Sequence, residues 1–338
     1  MSDDEGYRYD PIFKDSDEAE PTAALETVVG DHVPVGGYLL TAQARLAVDV
    51  ALAAGRPLLV QGQPGCGKTM LALAVAQRAR WDFHSATVTS RTRAQDLQWT
   101  FDAVRRLRDA QAGPAGRWAV DAVRRADAVR RRVGTPTGSR DRDELRPYIR
   151  PGVFWRALAP VQAAAFAGEP APAPRERAVL LLDEIDKAEP DVPNDLLGPL
   201  GTLSFEVTDL DGYPVRNERP ENPPLVVLTT NDERELPPAF LRRCVVYTME
   251  FPDEERLVAI GRRHFPDGPQ DLLREVATIT CQARDEADAA SYRPPGTAEY
   301  IDAVGAAIRL GVTPTGSQDA WSVVRRLTLA KWDGPDKR

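Results

Sequence analysis

The sequence is poor in the residues that build metal centres and covalent cross-links: 338 residues hold three cysteines and three histidines. Cys66, Cys244 and Cys281 stand far apart with no C-x-x-C spacing, so neither a zinc site nor a disulfide framework is indicated, and a reducing compartment suits the chain. No apolar run approaches the roughly 20 residues needed to span a bilayer, which excludes a helical membrane anchor. The amino terminus, Met1-Ser2-Asp3-Asp4-Glu5-Gly6, is acidic and lacks the apolar stretch of a secretion signal, so the expectation is a cytoplasmic protein with no membrane partner. Lysine is missing from residues 91–156, where 16 arginines face 8 acidic residues for a formal charge of +8, although the whole chain carries −8. With 42% hydrophobic and 28% charged residues the chain is globular rather than disordered, and its length suffices for two domains.

Residues 62–69 read Gly62-Gln63-Pro64-Gly65-Cys66-Gly67-Lys68-Thr69, the pattern G-x-x-x-x-G-K-T. They follow the apolar run Leu58-Leu59-Val60 and precede a helical run that opens at Met70. A triphosphate packs several negative charges into a small volume. Backbone N–H groups can surround it only where the loop is tight and free of obstructing Cβ atoms, which the three glycines allow. The helix starting near Lys68 aims its positive end at the same place. Lys68 would reach the β- and γ-phosphates and the Thr69 hydroxyl would ligate Mg²⁺, with residues 62–70 as the candidate ATP contact. Cys66 is either a thiol exposed to reagents near the nucleotide or a small filler.

The run Ala178-Val179-Leu180-Leu181-Leu182 reads as a strand buried on both faces, and it ends in Asp183-Glu184. Ligands bind at the carboxyl ends of strands in open α/β sheets, so Asp183 would hold Mg²⁺ or its water and Glu184 would act as general base. Leu225-Val226-Val227-Leu228-Thr229-Thr230 repeats the buried-strand pattern and ends in Asn231, which either orients the water near the γ-phosphate or serves as a turn residue. A short helix over residues 236–241 ends in Arg242-Arg243. Either arginine could stabilise transition-state charge as a finger, or both could be solvated cations favoured by the helix dipole.

The order of these pieces resembles an AAA+ ATPase, and most of all the MoxR-type branch, over roughly residues 34–310. Members of that branch carry Leu-Pro-x-Ala-x-Leu-Asp-Arg-Phe at the finger; the matching text here is Leu236-Pro237-Pro238-Ala239-Phe240-Leu241-Arg242-Arg243-Cys244. Arg243 falls on the family's arginine, and Arg242 replaces its aspartate. The resemblance implies an α/β fold, with a P-loop NTPase parallel sheet sandwiched by helices, followed by a small all-α lid domain. It implies ATP and Mg²⁺ as cofactors, a ring oligomer, expected to be a hexamer, and hydrolysis coupled to remodelling or maturation of a protein substrate or adaptor, often one with a von Willebrand A-type domain. Arg293, before Pro294-Pro295, matches a basic residue that touches nucleotide from the lid in some relatives. Thr297 would cap the lid helix that follows. Tyr38 is either an adenine neighbour or a core residue. Gly152 and the aromatics Phe154-Trp155 match a segment that relatives place near the ring's central pore.

The chain divides into an acidic segment expected to be flexible (1–33), a nucleotide-binding domain (34–251) and a helical lid (252–338). Lys68 and Asp183 are 115 positions apart, which leaves room for an arginine-rich helical insertion at about 101–150. With Trp99, Phe101, Trp118, Phe154 and Trp155, that region could bind single-stranded nucleic acid, as in a motor or a defence-system ATPase. The alternative places the aromatics in the core and the arginines on solvated faces. A nucleotide-gated scaffold with little turnover is a third reading. Residues 204–215 alternate around Asp211-Gly212 and predict a β-hairpin. Helices are predicted at 42–54, 256–264, 270–286, 297–310 and 320–332.

Overall fold

A computed structural model describes residues 38–111, 144–290, 292–316 and 318–330. The acidic segment 1–33, Trp118, the Arg130-Arg131-Arg132 run, the loop at 134–139 and the end of the helix predicted at 320–332 lie outside the described residues.

Five parallel strands form the central sheet: β1 (Leu58–Gln61), β2 (Asp82–Thr87), β5 (Ala178–Asp183), β8 (Leu225–Thr230) and β9 (Val245–Thr248), in the order β2-β5-β8-β1-β9. The strand carrying Asn231 at its tip therefore lies between those carrying the phosphate loop and Asp183. The unbroken apolar runs follow from burial on both sides. Leu59, Leu180, Leu182, Val226 and Leu228 enter one core, whereas Leu58, Val60, Val179, Leu181 and Val227 enter the other. Successive residues point to opposite faces, so each strand feeds both cores alternately. Each such side chain contributes about 1.5–3 kcal/mol of burial.

Helix Ala42–Ala54 forms as expected. The Thr41 hydroxyl accepts the Ala44 N–H at 2.9 Å at its start, and Gly55 closes it at φ 60°. Helix Lys68–Ala79 leaves the phosphate loop directly and packs on the sheet through Leu71, Ala72 and Val75.

The insertion starts from a two-stranded antiparallel stem, β3 (Trp99–Phe101) against β4 (Ile149–Pro151), and continues as helix Ala103–Gln111, which buries none of its residues. The predicted hairpin is β6 (Ser204–Val207) with β7 (Tyr213–Arg216). It is fixed to the stem: the Trp99 ring stacks on Phe205 at 5.8 Å, and Trp99 Nε1 donates to Asp209 at 2.7 Å. Trp155 packs among Phe166, Phe205 and Tyr213. Trp99, Phe154 and Trp155 are all buried, so these aromatics serve the core and are closed to nucleic-acid bases.

Helices Glu254–His264, Gln270–Ala289, Thr297–Leu310 and Gln318–Thr328 enclose a third core that includes Leu257, Leu273, Val276, Tyr300 and Trp321. The first begins two residues before its predicted start because Asp253 caps it, accepting the Arg256 N–H at 2.9 Å. The expectation that Thr297 caps the third helix is corrected. Gly296 holds the cap position and Thr297 is the first helical residue, with Glu299 Oε2 accepting the Gly296 N–H at 3.0 Å. Contact with the phosphate loop decides this, since Gly296 lies against Gly65, where a side chain would not fit.

Candidate active site

The phosphate loop joins the tip of β1 to helix Lys68–Ala79. Gly62, Gly65 and Gly67 take φ of 151°, 87° and 103°, values that side chains disfavour. A Cβ on Gly62 would strike the Met249 carbonyl, so the loop's first turn is steric as well as conformational. Lys68 is buried. Its Nζ donates to the Gly62 carbonyl at 2.7 Å, the Gln63 carbonyl at 3.0 Å and Asn231 Oδ1 at 2.8 Å. Gly62 and Gln63 thus meet Lys68 through their carbonyls, whereas Pro64, Gly65, Cys66, Gly67, Lys68, Thr69 and Met70 line an adjoining cavity of about 940 Å³.

Asp183 accepts hydrogen bonds from Thr69 Oγ1 (3.1 and 3.0 Å to its two oxygens) and from the Thr229 hydroxyl. Asp183, Glu184 and Asn231 line the same cavity. Glu184 adopts the left-handed region at φ 60° and ψ 48°, a conformation that costs a non-glycine residue free energy. Its Oε2 pairs with Lys187 Nζ at 2.8 Å, and its Oε1 accepts from Asn231 Nδ2 at 3.4 Å.

A supporting residue, Asp186, escaped sequence reasoning. Asp186 is 2% exposed, and its Oδ2 accepts the N–H groups of Asn231 (3.1 Å) and Glu233 (3.0 Å). It clamps the tip of β8 and so fixes where Asn231 points. The signal available was one more carboxylate after Asp183-Glu184, indistinguishable in the sequence from a solvated turn.

The lid supplies the cavity's other wall. Arg293 is exposed and lines it, together with Arg256, which the sequence reading passed over. Arg256 Nη2 donates to the Leu39 carbonyl at 2.8 Å, tying the first lid helix to the segment before Ala42. Tyr38 does two things: it packs partly buried on the core and lines the cavity beside Gly67. Burial pushes its hydroxyl pKa above the ordinary tyrosine value. Burial also raises the Cys66 thiol, only partly opposed by the Lys68 ammonium, so Cys66 is a small filler and not a thiolate.

Arg242 and Arg243 are exposed and lie elsewhere. β9 begins just after them, and Val245 pairs with Leu58, four positions before Gly62. At about 3.3 Å per residue that is roughly 13 Å along the strand, at the opposite end of the sheet from the phosphate loop. Neither arginine lines the cavity.

No group of three or more His, Cys, Asp or Glu capable of holding a metal occurs among the described residues. Thr69 and Asp183 offer a hydroxyl and a carboxylate. That hard-oxygen pair fits Mg²⁺, which keeps several waters and takes further oxygens from phosphates. No helix among the described residues is long and apolar enough to cross a membrane.

A parallel sheet with a lysine-bearing phosphate loop on one strand, a carboxylate pair two strands away and a sensor-like asparagine between them defines a P-loop nucleotide-binding protein of the AAA+ class. The pattern of the AAA domain, dynein-related subfamily, matches residues 57–244, and the chain belongs to that family. Among solved structures it is similar to a variant of RuvB from Thermotoga maritima, at 12% identity over 85% of this chain and 68% of that one, with a TM-score of 0.43. It is also similar to domain III of the replication initiation protein DnaA from the same organism, at 14% identity over 91% and 100% of the two chains, with a TM-score of 0.42. No protein of curated function gives a significant match.

Proposed function

We propose that this chain is an ATP-hydrolysing ring ATPase that couples turnover to remodelling or maturation of a partner protein, in the manner of the MoxR-type branch. The observation that carries the hydrolytic part is the convergence of Lys68, Thr69, Asp183, Glu184 and Asn231 around the phosphate loop. In this reading the loop amides and Lys68 hold the β- and γ-phosphates, and the ammonium exchanges its carbonyl contacts for phosphate oxygens. Mg²⁺, when bound by Thr69 and Asp183, would neutralise charge on the phosphate oxygens. Glu184 takes the proton of the attacking water on its carboxylate, and the Asn231 amide orients that water. Arg293 and Arg256 cover the nucleotide from the lid. Arg243, remote from its own cradle, serves the γ-phosphate held by the next copy in a ring, expected to be a hexamer.

Family resemblance alone supports the partner, a protein substrate or adaptor with a von Willebrand A-type domain. The test is the Glu184→Gln chain, which should bind ATP while its turnover falls by roughly 10²–10⁴-fold, and which should retain the partner in a pull-down with ATP. Turnover equal to wild type would remove Glu184 from the mechanism. Nucleic-acid binding is a second reading, favoured by the exposed Arg105, Arg106 and Arg108 of the insertion. It predicts binding that weakens steeply with salt, and the absence of binding at low salt would end it.

A further inference from the structure

The second lid helix carries a guanidinium where the fold least tolerates one. Arg284 is 7% exposed. Its Nε donates to the Pro295 carbonyl at 2.8 Å and its Nη1 to the Pro252 carbonyl at 2.6 Å, and the group lies over the Phe251 ring at 4.5 Å. Its Nη2 is buried with no hydrogen-bond partner. Burial works against the charge, and Cys281, Glu299 and Asp285 offset this only through space. A buried cation without a hydrogen-bonded carboxylate is expensive, and an amphipathic helix would gain stability from an apolar residue there. The groups it touches suggest why it is present. Phe251 and Pro252 link the sheet to the lid, and Pro295 precedes the third lid helix. Both bonded carbonyls belong to prolines, whose φ is fixed, so the guanidinium joins two stiff points across the hinge.

The next residue carries the contact to the cradle. Gly296 lies so close to Gly65 that a Cβ on it would stand 2.7 Å from the Gly65 carbonyl oxygen, and the Thr297 N–H donates to that oxygen at 3.0 Å. Gly65 is the middle glycine of the phosphate loop. A continuous path of hydrogen bonds and backbone contact thus runs from hinge to Arg284 to lid loop to phosphate loop.

We propose that Arg284 is a positioning residue for nucleotide binding, holding Gly296 against Gly65 so that the lid and the phosphate loop keep one shape. This rests on the reading that the cradle binds nucleotide. Residues far from the phosphates then set the geometry of the amides that grip them.

The test uses the full chain and the fluorescent methylanthraniloyl derivative of ADP. Arg284→Met should weaken its binding by about tenfold while turnover at saturating ATP changes less than twofold. Gly296→Ala, whose φ of −91° suits alanine, breaks the path at its other end and should act alike. The double variant should bind no more than about twofold worse than the weaker single one, because both remove one coupling. Arg284→Met affinity within twofold of wild type, or effects that multiply, would overturn the proposal. Should Arg284→Met lose helical circular dichroism, Arg284→Lys decides instead: lysine keeps the charge but cannot span both carbonyls, so the same weakening is expected and wild-type affinity refutes. A wild-type chain that binds no probe, indistinguishable from Lys68→Ala, would instead sink the nucleotide reading itself.

Discussion

Asn231 joins Lys68 of the phosphate loop to the candidate base. Its Oδ1 accepts from Lys68 Nζ at 2.8 Å while its Nδ2 faces Glu184 Oε1 at 3.4 Å. One amide can therefore register where both groups stand, and its own place is fixed by Asp186. Asn231→Ala keeps the phosphate-loop sequence and removes a polar group beside the candidate base Glu184. We expect ATP affinity within a few-fold of wild type and a turnover number lower by roughly 100-fold. Equilibrium binding and steady-state phosphate release separate the two, and a loss confined to binding would remove Asn231 from the chemical step.

Lys187 holds the other side of the same carboxylate at 2.8 Å and is itself partly exposed. An exposed pair of this kind adds at most about 1 kcal/mol to stability. The orientation it gives Glu184 is a separate contribution, since the other contact to this carboxylate, from Asn231 Nδ2, is long at 3.4 Å. Lys187→Met should fold normally by circular dichroism and lower turnover several-fold at unchanged Michaelis constant, and Lys187→Arg should recover it. Unaltered kinetics in Lys187→Met would make the pair a surface ornament.

The contiguous parts of this site were legible in the sequence, and the parts assembled across the chain were not. The phosphate loop is written in eight consecutive residues because its chemistry is a property of one turn. Asp183-Glu184 and Asn231 were legible because strands buried on both faces leave unbroken apolar runs, and the polar residues ending those runs lie at the sheet's ligand-binding edge. Asp186, Arg256 and Arg284 carried no comparable mark. Each acts on backbone 32 residues or more away along the chain, at Asn231, Leu39 and Pro252, and in the sequence each is one more charge on a turn or helix. The Thr297 cap failed for a related reason: local capping preference favours threonine, but the approach of Gly65 requires glycine one residue earlier.

His84 and His264 supply a pH test of the fold. Burial, the first cause for both, holds each imidazole below its ordinary value of 6.5; for His84 the Asp82 carboxylate opposes this and Arg156 and Arg219 reinforce it. The unfolded chain therefore binds more protons than the native one once pH falls below about 6.5. Stability should decline as pH drops through that value, by up to about 1.4 kcal/mol per pH unit for each histidine, until the native imidazoles titrate in turn. Urea unfolding at pH 7.5, 6.5 and 5.5 measures the slope above the range where carboxylates dominate. The His84→Gln/His264→Gln chain should show a flatter profile, and an equal slope in both chains would assign the effect to other groups.

Arg243 offers the sharpest test of assembly. It is exposed at the far end of the sheet from its own phosphate loop, so no side-chain rotation brings it to that loop. If it acts on phosphate at all, it acts on a neighbour's. Arg243→Ala should bind ATP normally and lose about 10³-fold or more in turnover, as fingers supplied in trans do. Glu184→Gln should be equally inactive for a different reason. Mixing the two chains creates interfaces where an intact Glu184 meets an intact Arg243, so activity should reappear in the mixture and follow the statistics of subunit exchange. Arg242→Ala provides the comparison, because Arg242 stands beside Arg243 and is also exposed. Complementation by Arg242→Ala and not by Arg243→Ala would move the finger by one residue. A mixture as inactive as its components would show that hydrolysis here draws nothing from a second copy through either arginine.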